Sequence, residues 1–283
     1  MIETDFLRHL NKLSLIINKK VTSNYTGERE SIHTGHGLIF KDHRIYTPGD
    51  NYKDIDWRVF ARTDKLHVKR YEEERNLTVH IIVDASASMN FGSENIKKFE
   101  YASMIGTGFA YMAMRNNERF VLSTFAGKLE RFKPKRGKKQ LVDILDYLKE
   151  KKAAGVSKFE DSLRDYARVV DSRSLIVIIS DFLYDPEEVK RIIYAFKEND
   201  VKLVQVLDPV ELKLSLEGEF KLKDMETSSF LRTFISPFLR KSYLSRLEDH
   251  VKKLKWIAHS VGATFHTVTS DMQIFDAFFE ILR

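Results

Sequence analysis

The sequence predicts an α/β domain built on a mostly parallel six-stranded sheet, with one antiparallel edge strand and helices on both faces. Three observations predict it. After the acidic run Glu72-Glu73-Glu74 the chain changes character, from turn-rich to regularly patterned. From there, short apolar runs alternate with longer stretches of helical period, which is how strand-helix-strand units read in a sequence. Finally, Phe125-Ala126-Gly127-Lys128 is short enough to turn one strand directly into an antiparallel neighbour.

The elements follow in order. Apolar runs at 77–83, 119–125, 128–132, 175–180, 202–207 and 264–268 are the candidate strands. Stretches at 95–116, 138–151, 158–171, 186–198, 237–260 and 272–282 are the candidate helices. Residues 212–230 read as a hairpin insertion with Glu217-Gly218-Glu219 at its tip, so the main domain is 76–283 with an insertion near 210–232. Gly106 and Gly108 lie inside an apolar helix, where they permit close packing on the sheet.

Upstream, residues 1–75 form an extension expected to pack on the main domain. Phe6, Leu7, Leu10, Leu13 and Ile17 recur at helical spacing, which predicts an N-terminal amphipathic helix. Residues 22–63 carry Gly27, Gly35, Gly37 and the Pro48-Gly49-Asp50 turn without a sustained period, which predicts an irregular or short-stranded segment. Leu66, Val68 and Arg70 then alternate with His67, Lys69 and Tyr71 as in a half-exposed strand.

Composition narrows the function classes. The 283 residues are 43% hydrophobic, enough for a sizeable core. The 47 basic and 41 acidic side chains nearly balance at +6, unlike a dedicated nucleic-acid binder. With no cysteine, disulfides, thiolate catalysis and cysteine-ligated metal sites are excluded. The N-terminus lacks the pattern of an export signal, and no apolar run approaches the roughly 20 residues that span a bilayer, so a soluble cytoplasmic protein is expected.

The chemistry concentrates where the first core strand ends, in Val83-Asp84-Ala85-Ser86-Ala87-Ser88. In extended chain alternate side chains point the same way, so Asp84, Ser86 and Ser88 can converge on one point. That point lies at a carboxyl strand end, where open parallel sheets bind ligands. One carboxylate and two hydroxyls are hard oxygen ligands of low charge, suited to magnesium, with manganese or calcium as alternatives. A plainer reading is that Asp84 and Ser86 only cap the turn and helix that follow.

The D-x-S-x-S spacing resembles the metal-ion-dependent adhesion site of von Willebrand factor A domains. The resemblance implies two further ligands. Ser157, in Gly155-Val156-Ser157, stands where that family has a threonine before a helix, and Asp181, in Ile179-Ser180-Asp181, stands where it has an aspartate after the fourth core strand. The serine retains the oxygen but loses the methyl that restricts side-chain rotation. A second resemblance covers the upstream segment. Gly35-His36-Gly37-Leu38-Ile39-Phe40, Arg44-Ile45-Tyr46-Thr47-Pro48-Gly49-Asp50, Ile55-Asp56-Trp57, Ala61-Arg62-Thr63 and Lys69-Arg70-Tyr71-Glu72-Glu73-Glu74 resemble the signature of the uncharacterised DUF58 family. That resemblance implies a signature segment fused to a von Willebrand factor A-like (Rossmann-like) domain, and a MoxR-type AAA+ ATPase as partner in chaperone-like assembly.

The residues of this signature also support a structural reading: Arg44, Asp50, Asp56, Arg58 and Arg62 as ion pairs fixing an irregular segment, with Trp57 and Phe60 as buried anchors. Asp50, Asp54 and Asp56 lack the glycine and terminal glutamate of a calcium loop. His33, His36 and His43 with Asp42 could gather a zinc ion, although no cysteine or helical scaffold supports it. The basic run Lys133, Lys135, Arg136, Lys138 and Lys139 could meet phosphate or be a solvated loop. No nucleophile elbow or phosphate-binding loop is present. The expected function is therefore a non-enzymatic, metal-dependent protein interaction module. A metal-dependent phosphoesterase is the alternative enzyme, though neither His80 nor His259 is a persuasive base, and nucleic-acid binding through 133–139 is a third reading.

Overall fold

The computed structural model describes residues 38–73, 77–94, 96–225 and 229–282. The expected N-terminal helix, His33 and His36 lie outside the described residues. The described chain falls into two compact units, 38–73 and 77–282.

The first unit is built on an antiparallel pair, β1 (Leu38–Ile45) and β2 (His67–Glu73), with a register irregularity between Phe40 and Asp42. A single-turn 3-10 helix (Tyr52–Asp54) and a helix α1 (Trp57–Thr63) connect the strands. Of the two expectations for this segment the short-stranded one holds, with an eight-residue strand, and the seven-residue helix is unanticipated. Seven residues are too few to display a helical period, and the helix owes its start to a cap. Asp56 accepts the backbone N–H groups of Arg58 and Val59, and Asp64 ends the helix in a left-handed turn at φ 49.

Asp56 also accepts a bond from His43 (2.9 Å) and lies 3.7 Å from the Lys69 ammonium, two residues opposite each other across β1 and β2. The His43 bond, working against desolvation and helped by the cap, holds the Asp56 carboxyl down at about 2. Asp50 accepts from the Thr47 backbone N–H and hydroxyl and from Arg44 (2.6 Å), closing the turn whose Gly49 sits at φ 113. Arg44 and Asp50 thus pair as expected, whereas Arg58 gives Asp56 only its backbone N–H. Trp57 is no buried anchor, being 60% exposed.

The second unit carries the expected α/β fold, a mostly parallel six-stranded sheet with one antiparallel edge strand. Its sheet contains β3 (Thr78–Asp84), β4 (Arg119–Phe125), β5 (Leu129–Glu130), β6 (Leu175–Ser180), β7 (Asp200–Leu207) and β10 (Thr264–Thr269), in the order β10-β7-β6-β3-β4-β5. All neighbours are parallel except the edge strand β5. Strand order reverses at β3, which lies between β4 and β6, and this is the switch point at which such sheets open a crevice. One face is covered by α2 (Lys98–Arg115), α3 (Lys138–Glu150) and α8 (Ile274–Ile281). The other is covered by α4 (Phe159–Ala167), α5 (Pro186–Ala195) and α7 (Pro237–Ser260). Every residue of β3 is buried, because helices cover both of its faces.

A short helix α6 (Pro209–Lys213) follows β7, started by Asp208 in a capping box with Glu211. The hairpin is shifted from its expected place. It pairs β8 (Gly218–Lys223) with β9 (Phe230–Ile235), so Glu217-Gly218-Glu219 opens its first strand, and the chain reverses between Lys223 and Phe230. The displacement has a local cause: Asp208 with Pro209 starts a helix where the sequence had suggested the insertion to begin.

The two helical glycines do different things. A Cβ on Gly106 would stand 3.2 Å from Ile81 and Leu122 side-chain atoms, so this glycine lets α2 close on the sheet as expected. A Cβ on Gly108 would stand 2.1 Å from the Phe278 ring of α8, so the second glycine makes room for a neighbouring helix instead. Phe278 is fully buried and has nowhere to retreat. Gly108→Ala is therefore expected to destabilise the unit by about 1–3 kcal/mol through overpacking, measured by urea denaturation, whereas Gly127→Ala, where a Cβ would meet nothing beyond its chain neighbours nearer than 3.8 Å, would not.

Candidate functional site

The site is assembled by the loops that follow β3 and β6 and by the loop between α3 and α4. Asp84 ends β3, and the chain then passes through Ser86 into a 3-10 turn, Ala87–Asn90, that leads to α2. The loop before α4 is tied down on this segment by two backbone bonds, Ala154 N–H to Ala85 O and Ala87 N–H to Gly155 O, both 2.9 Å. Gly155 takes φ +88 there, a conformation costly for residues with a Cβ. This pairing carries Ser157 to Asp84 across 73 residues of sequence. Asp181 follows β6, and the next residue, Phe182, is in the left-handed region at φ 49. A buried phenylalanine there is a strained feature, held by its packing on Phe159 and Phe265 and by His250, which meets its carbonyl at 2.8 Å.

The structure brings together Asp84, Ser86, Ser88 and Ser157. Asp84 is fully buried; one carboxylate oxygen accepts the Ser86 backbone N–H (2.8 Å), and the other accepts the hydroxyls of Ser180 (2.8 Å) and Tyr184. The Ser86 and Ser88 hydroxyls lie 3.1 Å apart, so the alternation of side chains converges as the sequence suggested. Ser157 reaches the group through Tyr184, their hydroxyls 2.8 Å apart. Ser86 is buried while Ser88 and Ser157 are partly exposed, so the site opens to solvent on their side.

Asp181 is differently placed. It is buried, and its carboxylate accepts the Lys98 ammonium at 3.0 Å. That ammonium is itself 1% exposed, and it also donates to Glu211 at 2.8 Å. Glu211 uses its other oxygen to accept the Asp208 backbone N–H, while Gln205 donates to the Asp181 carbonyl, each at about 2.8–2.9 Å. Asp208 in turn accepts from the Ser93 backbone (2.7 Å) and hydroxyl (2.5 Å), joining the loop after Ser88 to the end of β7.

The electrostatics separate the two aspartates. Burial, and secondly the charge of Asp181, push the Asp84 carboxyl up to about 6. Tyr184 is raised well above its ordinary value, first by burial and then by Asp84. Burial works against the Lys98 ammonium, but Asp181 and Glu211 outweigh it and hold the group above its ordinary value. Among the described residues, Asp181 has a cation in contact and Asp84 has none. A fully buried carboxylate with no side-chain cation, bordered by three hydroxyls that lead to solvent, fits a divalent ion preferring hard oxygens. The plainer capping reading describes only part of the place: Asp84 takes the Ser86 backbone N–H at the turn, but Ser86 makes no side-chain cap bond.

Sequence reasoning missed Lys98, Ser180, Tyr184 and Glu211. Lys98 had a signal: with Ala102, Ile105 and Phe109 it falls on one helical stripe, a lysine at a buried position. Of the other candidates, His43 serves Asp56, and no group of three or more metal-ligating side chains of the histidine, aspartate and glutamate kind gathers among the described residues. Lys133 and Lys135 are exposed on the loop before α3, and Lys138 and Lys139 are exposed on its first turn. His80 is buried and bonded to the Tyr166 hydroxyl at 2.9 Å, near the opposite end of β3 from Asp84.

Comparison with known families decides the membership. The family model described as "Protein of unknown function DUF58" matches residues 42–253. The chain belongs to the DUF58 family. Among similar proteins, the uncharacterized protein Rv1480 of Mycobacterium tuberculosis is 26% identical over 271 residues, covering 93% of this chain and 84% of the relative. YeaD of Bacillus subtilis, also uncharacterized, is 26% identical over 80 residues, 28% of this chain and 20% of that protein. An aerotolerance-related membrane protein from Bacteroides fragilis matches 73% of this chain and 98% of its own, with a TM-score of 0.45 and 14% identity. Among the described residues of this DUF58 protein, no helix is long and apolar enough to cross a membrane.

Tyr184 bonds both Asp84 and Ser157 while its ring stacks on Phe159 at 4.3 Å between centroids. Tyr184→Phe keeps the stack and removes a donor from a buried carboxylate. It is expected to lower stability at neutral pH by about 1–3 kcal/mol in urea denaturation, more than the same change at the exposed Tyr52.

Proposed function

We propose that this DUF58 protein is a non-enzymatic interaction module in which Asp84, Ser86, Ser88 and Ser157 hold a divalent cation, most simply magnesium, with manganese or calcium as substitutes, and Asp181 lies at its border. The observation that carries this reading is the buried carboxylate of Asp84 at the switch point of the sheet, which meets no cation among the described residues and lies next to hydroxyls that lead outward. A bound ion would supply a Lewis-acidic position open to a carboxylate from another protein.

The surroundings suit a protein partner. Val156, next to Ser157, and Leu183, two residues after Asp181, are 52% and 49% exposed, apolar side chains close in sequence to the site. The β8–β9 hairpin and the start of α7 expose Phe230, Leu231, Phe234 and Phe238, a concentration typical of contact surfaces. The DUF58 resemblance makes a MoxR-type AAA+ ATPase, or a client it remodels, the partner we propose, acting with this protein in cytoplasmic assembly or maturation of other proteins. The enzymatic alternative gains little: His80 is committed to Tyr166, and His259 lies exposed on the last turn of α7. Nucleic-acid binding would rest on the basic run 133–139 alone.

The test is Asp84→Ala in the folded protein. Titration with manganese should show one site in the natural chain and none in the variant, and co-purification of the ATPase should be lost both with the variant and with chelator. Metal binding and co-purification that are both indifferent to Asp84 would overturn the proposal.

A further inference from the structure

Lys98 occupies an unfavourable place. It is the first residue of α2, where the helix dipole repels a cation, and it is 1% exposed, where desolvation does the same. Two carboxylates retain it there, Asp181 at 3.0 Å and Glu211 at 2.8 Å. Glu211 is in turn fixed by its capping box with Asp208, so the ammonium is held from a rigid anchor. None of Asp84's bonds comes from Lys98. The arrangement neutralises one aspartate of the site and leaves the other bare.

We propose that Lys98 sets the charge of the Asp84 site, cancelling Asp181 so that a divalent ion meets the full charge of one buried carboxylate instead of two. This rests on the metal-binding reading above and adds a residue that touches no ion itself. Its consequence is a site deliberately weak for metal, whose ion keeps surplus positive charge. Glu211, which draws part of the ammonium's charge away from Asp181, acts in the opposite sense.

The signs can be read separately. Lys98→Met exposes the ion to Asp181 and Glu211 uncancelled and should tighten manganese binding about tenfold, given the strength of unit charges a few ångströms apart at partly buried sites. Glu211→Gln leaves Lys98 to Asp181 alone and should weaken it by about three- to tenfold by the same reasoning. Lys98→Arg keeps the charge and should stay within about twofold of the natural chain. The measurement is manganese binding to the full chain by calorimetry or paramagnetic resonance, with folding verified by circular dichroism. A purely structural role for Lys98 would weaken binding in both the methionine and the glutamine variants. Binding in the natural chain with Lys98→Met equal or weaker overturns this inference alone, and no binding in the natural chain overturns the metal reading beneath it. Should Lys98→Met fail to fold, Lys98→Gln, which can still donate to both carboxylates, decides: tighter binding supports the inference, and unchanged or weaker binding overturns it.

Discussion

A carboxylate cannot be buried without something to answer its charge, and Asp84 is buried completely at the end of the central strand. Three donors answer it in part: a backbone N–H two residues on, the hydroxyl of Ser180 at the end of β6 and that of Tyr184 in the loop after it. Much of the neighbourhood is organised around that requirement. Ser180 stands opposite because β3 and β6 run parallel in register, Val83 beside Ile179. Tyr184 can reach back because the chain reverses at Phe182, where a left-handed phenylalanine is pinned by aromatic packing on the α4 side of the sheet.

The second aspartate is treated in the opposite way, and the contrast gives the site its character. Asp181 lies close enough to raise Asp84's pKa, yet it is matched by a buried ammonium. The anchoring of that ammonium runs through Glu211 to the end of β7, and Ser93 ties the loop after Ser88 to the same strand end through Asp208. The loops following β3, β6 and β7 are therefore one hydrogen-bonded assembly. Preorganisation of this kind costs nothing at the moment of binding and limits how far the oxygens can drift apart.

Much of the fold was legible because buried parallel strands and amphipathic helices leave strong periodic traces. The strands at 119–125 and 175–180 and the helix at 237–260 fall where the pattern put them. The pattern failed where local hydrogen bonding outweighs periodicity: the seven-residue helix started by Asp56, the five-residue helix started by Asp208, and the hairpin displaced by it. In the site, Asp84, Ser86 and Ser88 were legible because they are neighbours on one extended segment. Ser180 and Tyr184 were not, since their role depends on the register of β3 against β6 and on the reversal at Phe182. Lys98 was half legible: its helical stripe marks it as buried, but only tertiary structure shows the two carboxylates that make burial tolerable.

The central claim is that Asp84, with its serine neighbours, is a cation site, and the most direct measurement is the anomalous scattering of manganese in crystals of this chain. The account predicts one strong peak at about 2.0–2.3 Å from oxygens of Asp84, Ser86 and Ser88, with nearby water. No peak there at millimolar manganese, or a peak bound by other residues with Asp84 still bonded only to Ser86, Ser180 and Tyr184, would contradict it.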